Sequence, residues 1–216
     1  MKKVNIISIL SATLLLVAHS LLATDIQYIE AMQKNIHVVY TAQSMAELQE
    51  AVNALQRIGA AEKNKWEPHY YASFGYIMMA SREQDGAKKD SYLDQAMAGI
   101  EKAKTINGND SEVVALEGFV QMMRITVDPG TRGPQYSGLA MQTFGKASAM
   151  NPDNPRALVL KAQMQFGTSK FFGSPATDAC ETLDLAVTKF EASASTNPLA
   201  PQWGREMATA LQHECN

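Results

Sequence analysis

Apolar residues recur three and four positions apart over nine stretches: 26–40, 44–59, 66–81, 89–106, 111–126, 135–150, 155–168, 176–195 and 201–214. That spacing gathers them on one side of an α-helix, which turns once every 3.6 residues. No run alternates apolar and polar residues between turn signals, as a half-buried strand would. The pattern predicts an all-α fold. The joints carry their own signals. In "AMNPDNPRALVL", 149–160, Asn151 follows one helix and tolerates the left-handed conformation that ends helices. Pro152 blocks continuation, Asp153 or Asn154 caps the next helix, and Pro155 suits its first position.

The stretches share a register. Ala51, Ala96, Ala140 and Ala186 stand 45, 44 and 46 residues apart. A large residue follows each by four positions: Leu55, Ile100, Phe144 and Phe190. The last three anchors also share a turn eleven positions on, at Asn107-Gly108, Asn151-Pro152 and Asn197-Pro198. Small residues at Ala72, Gly118 and Ala162 precede these anchors by 24, 22 and 24 positions, on the partner helices. Small residues let two helices approach, and the large residue fills the space beside them. Stacked helical hairpins, each burying its face on its neighbours, follow this logic.

With these residues in place, the chain resembles the tetratricopeptide repeat, whose second helix carries Ala, a Phe-like residue, Ala and a Pro-containing turn at these offsets. The likeness covers 66–198 and, more faintly, 26–65. Units here exceed the family's period of about 34 residues by about 11. The excess falls at 82–91, 127–136 and 168–177, between the first and second helix of each unit, and is expected to form long intra-repeat loops. About four hairpins and a C-terminal capping helix, with Trp203 packed inward, complete the expected α/α solenoid. The whole is similar to small exported helical-repeat proteins of Gram-negative bacteria.

The resemblance implies a concave groove lined by the first helix of each unit. The groove positions would be Trp66, His69, Ser73, Tyr76 and Ile77; then Glu112, Ala115, Phe119, Met122 and Met123; then Arg156, Val159, Gln163 and Phe166. It implies a scaffold that binds an unidentified protein or peptide and performs no catalysis. The inserts offer a second edge, with Arg132, Tyr136, Lys170, Phe171 and Phe172. The Phe-Phe pair is expected to plug a hairpin end, Met78-Met79 and Met122-Met123 to fill core, and Arg132 and Lys170 to stay solvated. The alternative is an enzyme or small-ligand binder between inserts and groove, with Trp66, His69, Tyr70, Arg132 and Tyr136. A purely structural subunit is a third reading.

Composition narrows the setting. Lys2 and Lys3 precede the apolar run "VNIISILSATLLLVAHSLLA", which reads as a secretory signal peptide over 1–23, cleaved after Ser20 or Ala23. Cleavage after Ala23 leaves 216 − 23 = 193 residues, a single domain over 24–216. It takes the formal charge from −3 to −5 by removing two lysines. A mildly acidic chain without a basic stripe argues against nucleic acid, and no second apolar run would insert the mature chain in a membrane. The expected location is periplasmic or secreted. Cys180 lies 18 residues before Pro198 and Cys215 lies 17 after it. Antiparallel helices joined there would bring the two sulfurs together as a disulfide. His37, His69 and His213 are scattered, and no metal-ligand spacing, nucleophile motif or phosphate-cradling loop occurs, so no metal and no cofactor are expected.

Overall fold

The computed structural model describes residues 25–215 apart from Asn109 and Ala194. The expected signal peptide lies outside the described residues. Helix α1 covers 25–41. It is followed by α2 (Met45–Ala61), α3 (Glu67–Arg82), α4 (Gly86–Ile106), α5 (Ser111–Ile125), α6 (Pro129–Met150), α7 (Pro155–Phe172), α8 (Thr177–Ala192) and α9 (Arg205–Leu211), then a 3-10 turn over Gln212–Glu214. Among the described residues there is no strand, and no helix is long and apolar enough to cross a membrane.

Most starts have a local cause. Ser44 and Glu47 exchange hydrogen bonds in a capping box before α2. The carboxylates of Asp85, Asp110 and Asp128 accept backbone N–H groups at the starts of α4, α5 and α6. At the double-proline joint Asn154 is the cap, accepting from the N–H groups of Arg156 and Ala157, with Pro155 first in α7. Asn151 is extended there, with φ −145°, and not left-handed as expected. The N–H of Asn154 bonds back to the Asn151 carbonyl at 3.1 Å, so the chain reverses through a turn that asks nothing left-handed of Asn151.

The excess length of each unit is mostly helix, in place of the expected loops. Asp85 and Asp128 start α4 and α6 early, and α7 continues to Phe172. Pro134 sits close to the start of α6, where few backbone bonds precede it. Phe171 and Phe172 are 82% and 73% exposed and plug nothing. Gly173 ends α7 left-handed at φ 65°, directing the chain away before the rings can fold back.

Consecutive helices pack in pairs. Beyond that, α3 touches α5, α5 touches α7 and α7 touches α9, whereas among the described residues no even-numbered helix packs on the next even-numbered one. The odd helices are therefore the tight inner row and the even helices fan outside it, so the concave face belongs to the odd row. Ala51, Ala96, Ala140 and Ala186 are all buried. Where α6 crosses α5, the Phe144 ring lies so close to Gly118 that a Cβ there would overlap it. Burying these side chains at about 25 cal/mol per Å² of apolar surface is the main stabilising term.

Candidate functional site

The concave face is crossed by the chain's own strap, residues 195–204, which leads into α9 without regular helix. It meets four successive odd helices. The N–H of Gln202 donates to the Tyr40 hydroxyl of α1 at 3.3 Å. The Tyr71 hydroxyl of α3 donates to the Leu199 carbonyl at 2.8 Å. The Trp203 indole stacks on Phe74 of α3 and Phe119 of α5, with centroids 4.9 and 5.9 Å apart and ring planes within 22° and 28°. Gly204, at φ 104°, lies against Arg156 of α7, where a Cβ would come within 3.3 Å of its Cγ. The indole N–H donates to the Tyr70 hydroxyl at 2.9 Å, and Trp203 is only 6% exposed.

Beside the Tyr70 hydroxyl lies a charged pair. Arg156 grips Glu112 with two bonds, Nε to Oε2 at 2.6 Å and Nη2 to Oε1 at 2.7 Å. Glu112 and Arg156 occupy equivalent places on neighbouring inner helices, 44 residues apart (156 − 112). Burial pushes the Glu112 carboxyl up, and the guanidinium pulls against it. Burial also raises the pKa of Tyr40, Tyr70 and Tyr71, so all three hydroxyls keep their protons at neutral pH.

One helical turn beyond the stack, the face stays apolar and partly open. Met78 follows Phe74 by four residues and Met123 follows Phe119 by four, so each shares its predecessor's side. Met78, Met123 and, on α7, Phe166 are half-buried and pack against the core. Gln163 adds a carbonyl oxygen that is buried and, among the described residues, has no hydrogen-bond partner. Thioethers and aromatic rings with few fixed polar groups make a surface suited to a flat apolar ligand.

Several expected groove residues are elsewhere. His69, Ser73 and Tyr76 line a cleft of about 160 Å³ on the outer side of α3, between α2 and α4. The expectation was one residue out of register along α3, where eleven of the sixteen residues are buried and periodicity marks no face. Ile77, Ala115, Phe119, Met122, Arg156 and Val159 are buried, and Trp66 is half-buried with its ring edge-on to Tyr70. Among the insert residues, Arg132 is not simply solvated. It bonds both oxygens of Asp90 at 2.6 and 2.7 Å, tying the start of α6 to α4, and Arg124 joins the same carboxylate at 3.0 Å. Tyr136 is half-buried and Lys170 exposed. Tyr40, Tyr71, Phe74 and Leu199 were missed as groove residues. Their only advance signal was an inward Trp203. The sulfurs of Cys180 and Cys215 are bonded, fastening the end of the chain to the start of α8.

An all-helical chain whose helices pack consecutively in pairs, with the segment after α9 fastened to α8 by a disulfide, has an all-α helical-hairpin architecture. Among solved structures, the HusA haemophore from Porphyromonas gingivalis is similar to this chain: TM-score 0.78 at 26% sequence identity, covering 87% of this chain and 92% of that one. No family model matches the sequence, and no curated protein does.

Proposed function

We propose that this chain is an exported haem-binding protein that holds a porphyrin by its flat faces on the concave side, around Phe74, Met78, Phe119, Met123 and Phe166. The observation that carries this reading is the likeness to a haemophore at 26% identity over 87% of the chain. The strip itself supports it, because aromatic rings and thioethers stack on a macrocycle without needing hydrogen bonds. The disulfide fits an oxidising compartment, and the apolar N-terminal run "IISILSATLLLV" fits export by signal peptide. A haem titration followed by its absorbance band tests the reading. Saturable one-to-one binding is expected, weakened at least tenfold in Met123→Glu and Phe166→Glu and unchanged in Phe171→Ser. Equal affinity across all three variants would remove the concave face as the site.

One observation favours a second reading, a tetratricopeptide-like scaffold for peptides. The strap already lies in the groove as a non-helical peptide held by tyrosine hydroxyls. A synthetic copy of "TNPLAPQWG" that bound the protein while haem did not would favour it.

A further inference from the structure

We infer that Trp203 is the resident occupant of the concave slot, and that a planar ligand enters by exchanging with its indole. The inference rests on the haem reading and adds how the groove is opened. The indole is held by the contacts a porphyrin would use: two ring faces, Phe74 and Phe119, and one hydroxyl, Tyr70. With the indole in place, the aromatic half of the slot is filled and only the Met78, Met123 and Phe166 half is open. A macrocycle is a much larger plane than an indole and cannot share the slot with it, so full contact with both halves requires the indole to leave.

The strap is built so that it can lift while its ends stay fixed. At its base Arg205, which opens α9, bonds the carbonyl of Phe190 near the end of α8 and lies over the Phe190 ring, 5.6 Å from its centroid, so the two ends of the strap are pinned to each other. Beyond the strap, Cys215 is bonded to Cys180, so α9 stays attached to α8. Between Phe190 and Arg205, among the described residues, the hydrogen bonds that tie the strap to the inner helices run through three tyrosine hydroxyls, at Leu199, Gln202 and Trp203. Gly204, at φ 104°, is the joint between strap and α9, a conformation that glycine adopts without steric cost. A slot closed most of the time lowers apparent affinity by the fraction open, so removing the occupant tightens binding.

Hydrogen exchange on the oxidised full-length protein, with and without haem, tests this alongside haem titration of the wild type and Trp203→Leu. Haem is expected to speed exchange at 195–204 at least threefold while slowing it in α3 and α5, and Trp203→Leu is expected to bind haem at least tenfold more tightly. Haem binding with strap exchange unchanged or slowed overturns the inference and leaves the haem reading intact. Binding by Trp203→Leu but not by wild type supports the inference, as a slot held shut. Binding by neither sinks both. Should Trp203→Leu fail to fold by circular dichroism, the wild-type exchange pattern decides alone.

Discussion

The two sides of α3 were met by different neighbours and became different surfaces. On the inner side Tyr70, Tyr71 and Phe74 are buried under the strap, and their hydroxyls and rings are used by Leu199 and Trp203. On the outer side His69 and Tyr76 face an open cleft with Gln56, Gln95 and Lys102. The His69 ring leans on the backbone of α2, where a Cβ on Gly59 would come within 2.8 Å of it. One helix thus carries an aromatic face covered by the chain itself and an outer face that opens, at His69, on polar side chains of α2 and α4. What covers a face decides its character, and here the cover is a segment about 130 residues further along the chain (203 − 71 = 132).

The sharpest way to break this comparison is to strip the inner side. Trp203→Ala should cost about 3–5 kcal/mol in urea unfolding, the usual range for deleting a buried Trp. Of similar size is Glu112→Ala, about 3–5 kcal/mol, because it leaves the Arg156 guanidinium buried without its partner. The double variant Glu112→Leu with Arg156→Met should recover most of that loss, since no charge is then stranded. Equal costs for the single and double variants would show that packing, not the ion pair, matters there. His69→Ala, on the outer side, should cost less than about 1 kcal/mol by the same measurement.

How much of this was legible beforehand follows from the same contrast. The helices, the buried alanines at 96, 140 and 186, and the bonded cysteines each left a local mark: a spacing, a small residue, a pair equidistant from a turn. The capping aspartates at 85 and 128 also leave marks, but glycines and a proline after them obscure the helical pattern, so sequence alone predicts loops there. The groove register on α3 was not legible. Val39 and Val52 crowd Gly75, Trp203 covers Phe74 and α4 covers Ser73, so apolar and small residues run right around the helix. Only tertiary contacts distinguish its faces. Nor does anything in "TNPLAPQWG" announce that it lies across four distant helices, because its partners are tyrosine hydroxyls, rings and the stem of Arg156, all common in a core.

A middle-sized effect tests whether the strap's anchors are separate from its grip. Replacing Cys180 and Cys215 by Ser together should lower stability by about 2–4 kcal/mol, from the loss of a cross-link between residues 35 apart. The inner stack should survive it. Near-ultraviolet circular dichroism from Trp203 against Phe74 should persist in the folded variant, and its disappearance would make the disulfide part of the grip.

The smallest effect belongs to the outer cleft and depends on pH. Burial, and then the nearby Lys102 ammonium, hold the His69 imidazole below its ordinary pKa. The folded state therefore binds a proton at His69 less readily than the unfolded chain does. Stability from this site is fully present above the unfolded value of about 6.5 and is lost as pH falls through the lowered folded value. His69 is half exposed, so solvent screening keeps the slope shallow. Urea midpoints measured between pH 7.5 and 5.5 should decline slightly in wild type and flatten in His69→Gln. Lys102→Gln should flatten them only in part, because burial, the larger cause, remains. A wild-type slope unchanged in His69→Gln would assign the pH response to another group and leave the outer side of α3 electrostatically silent.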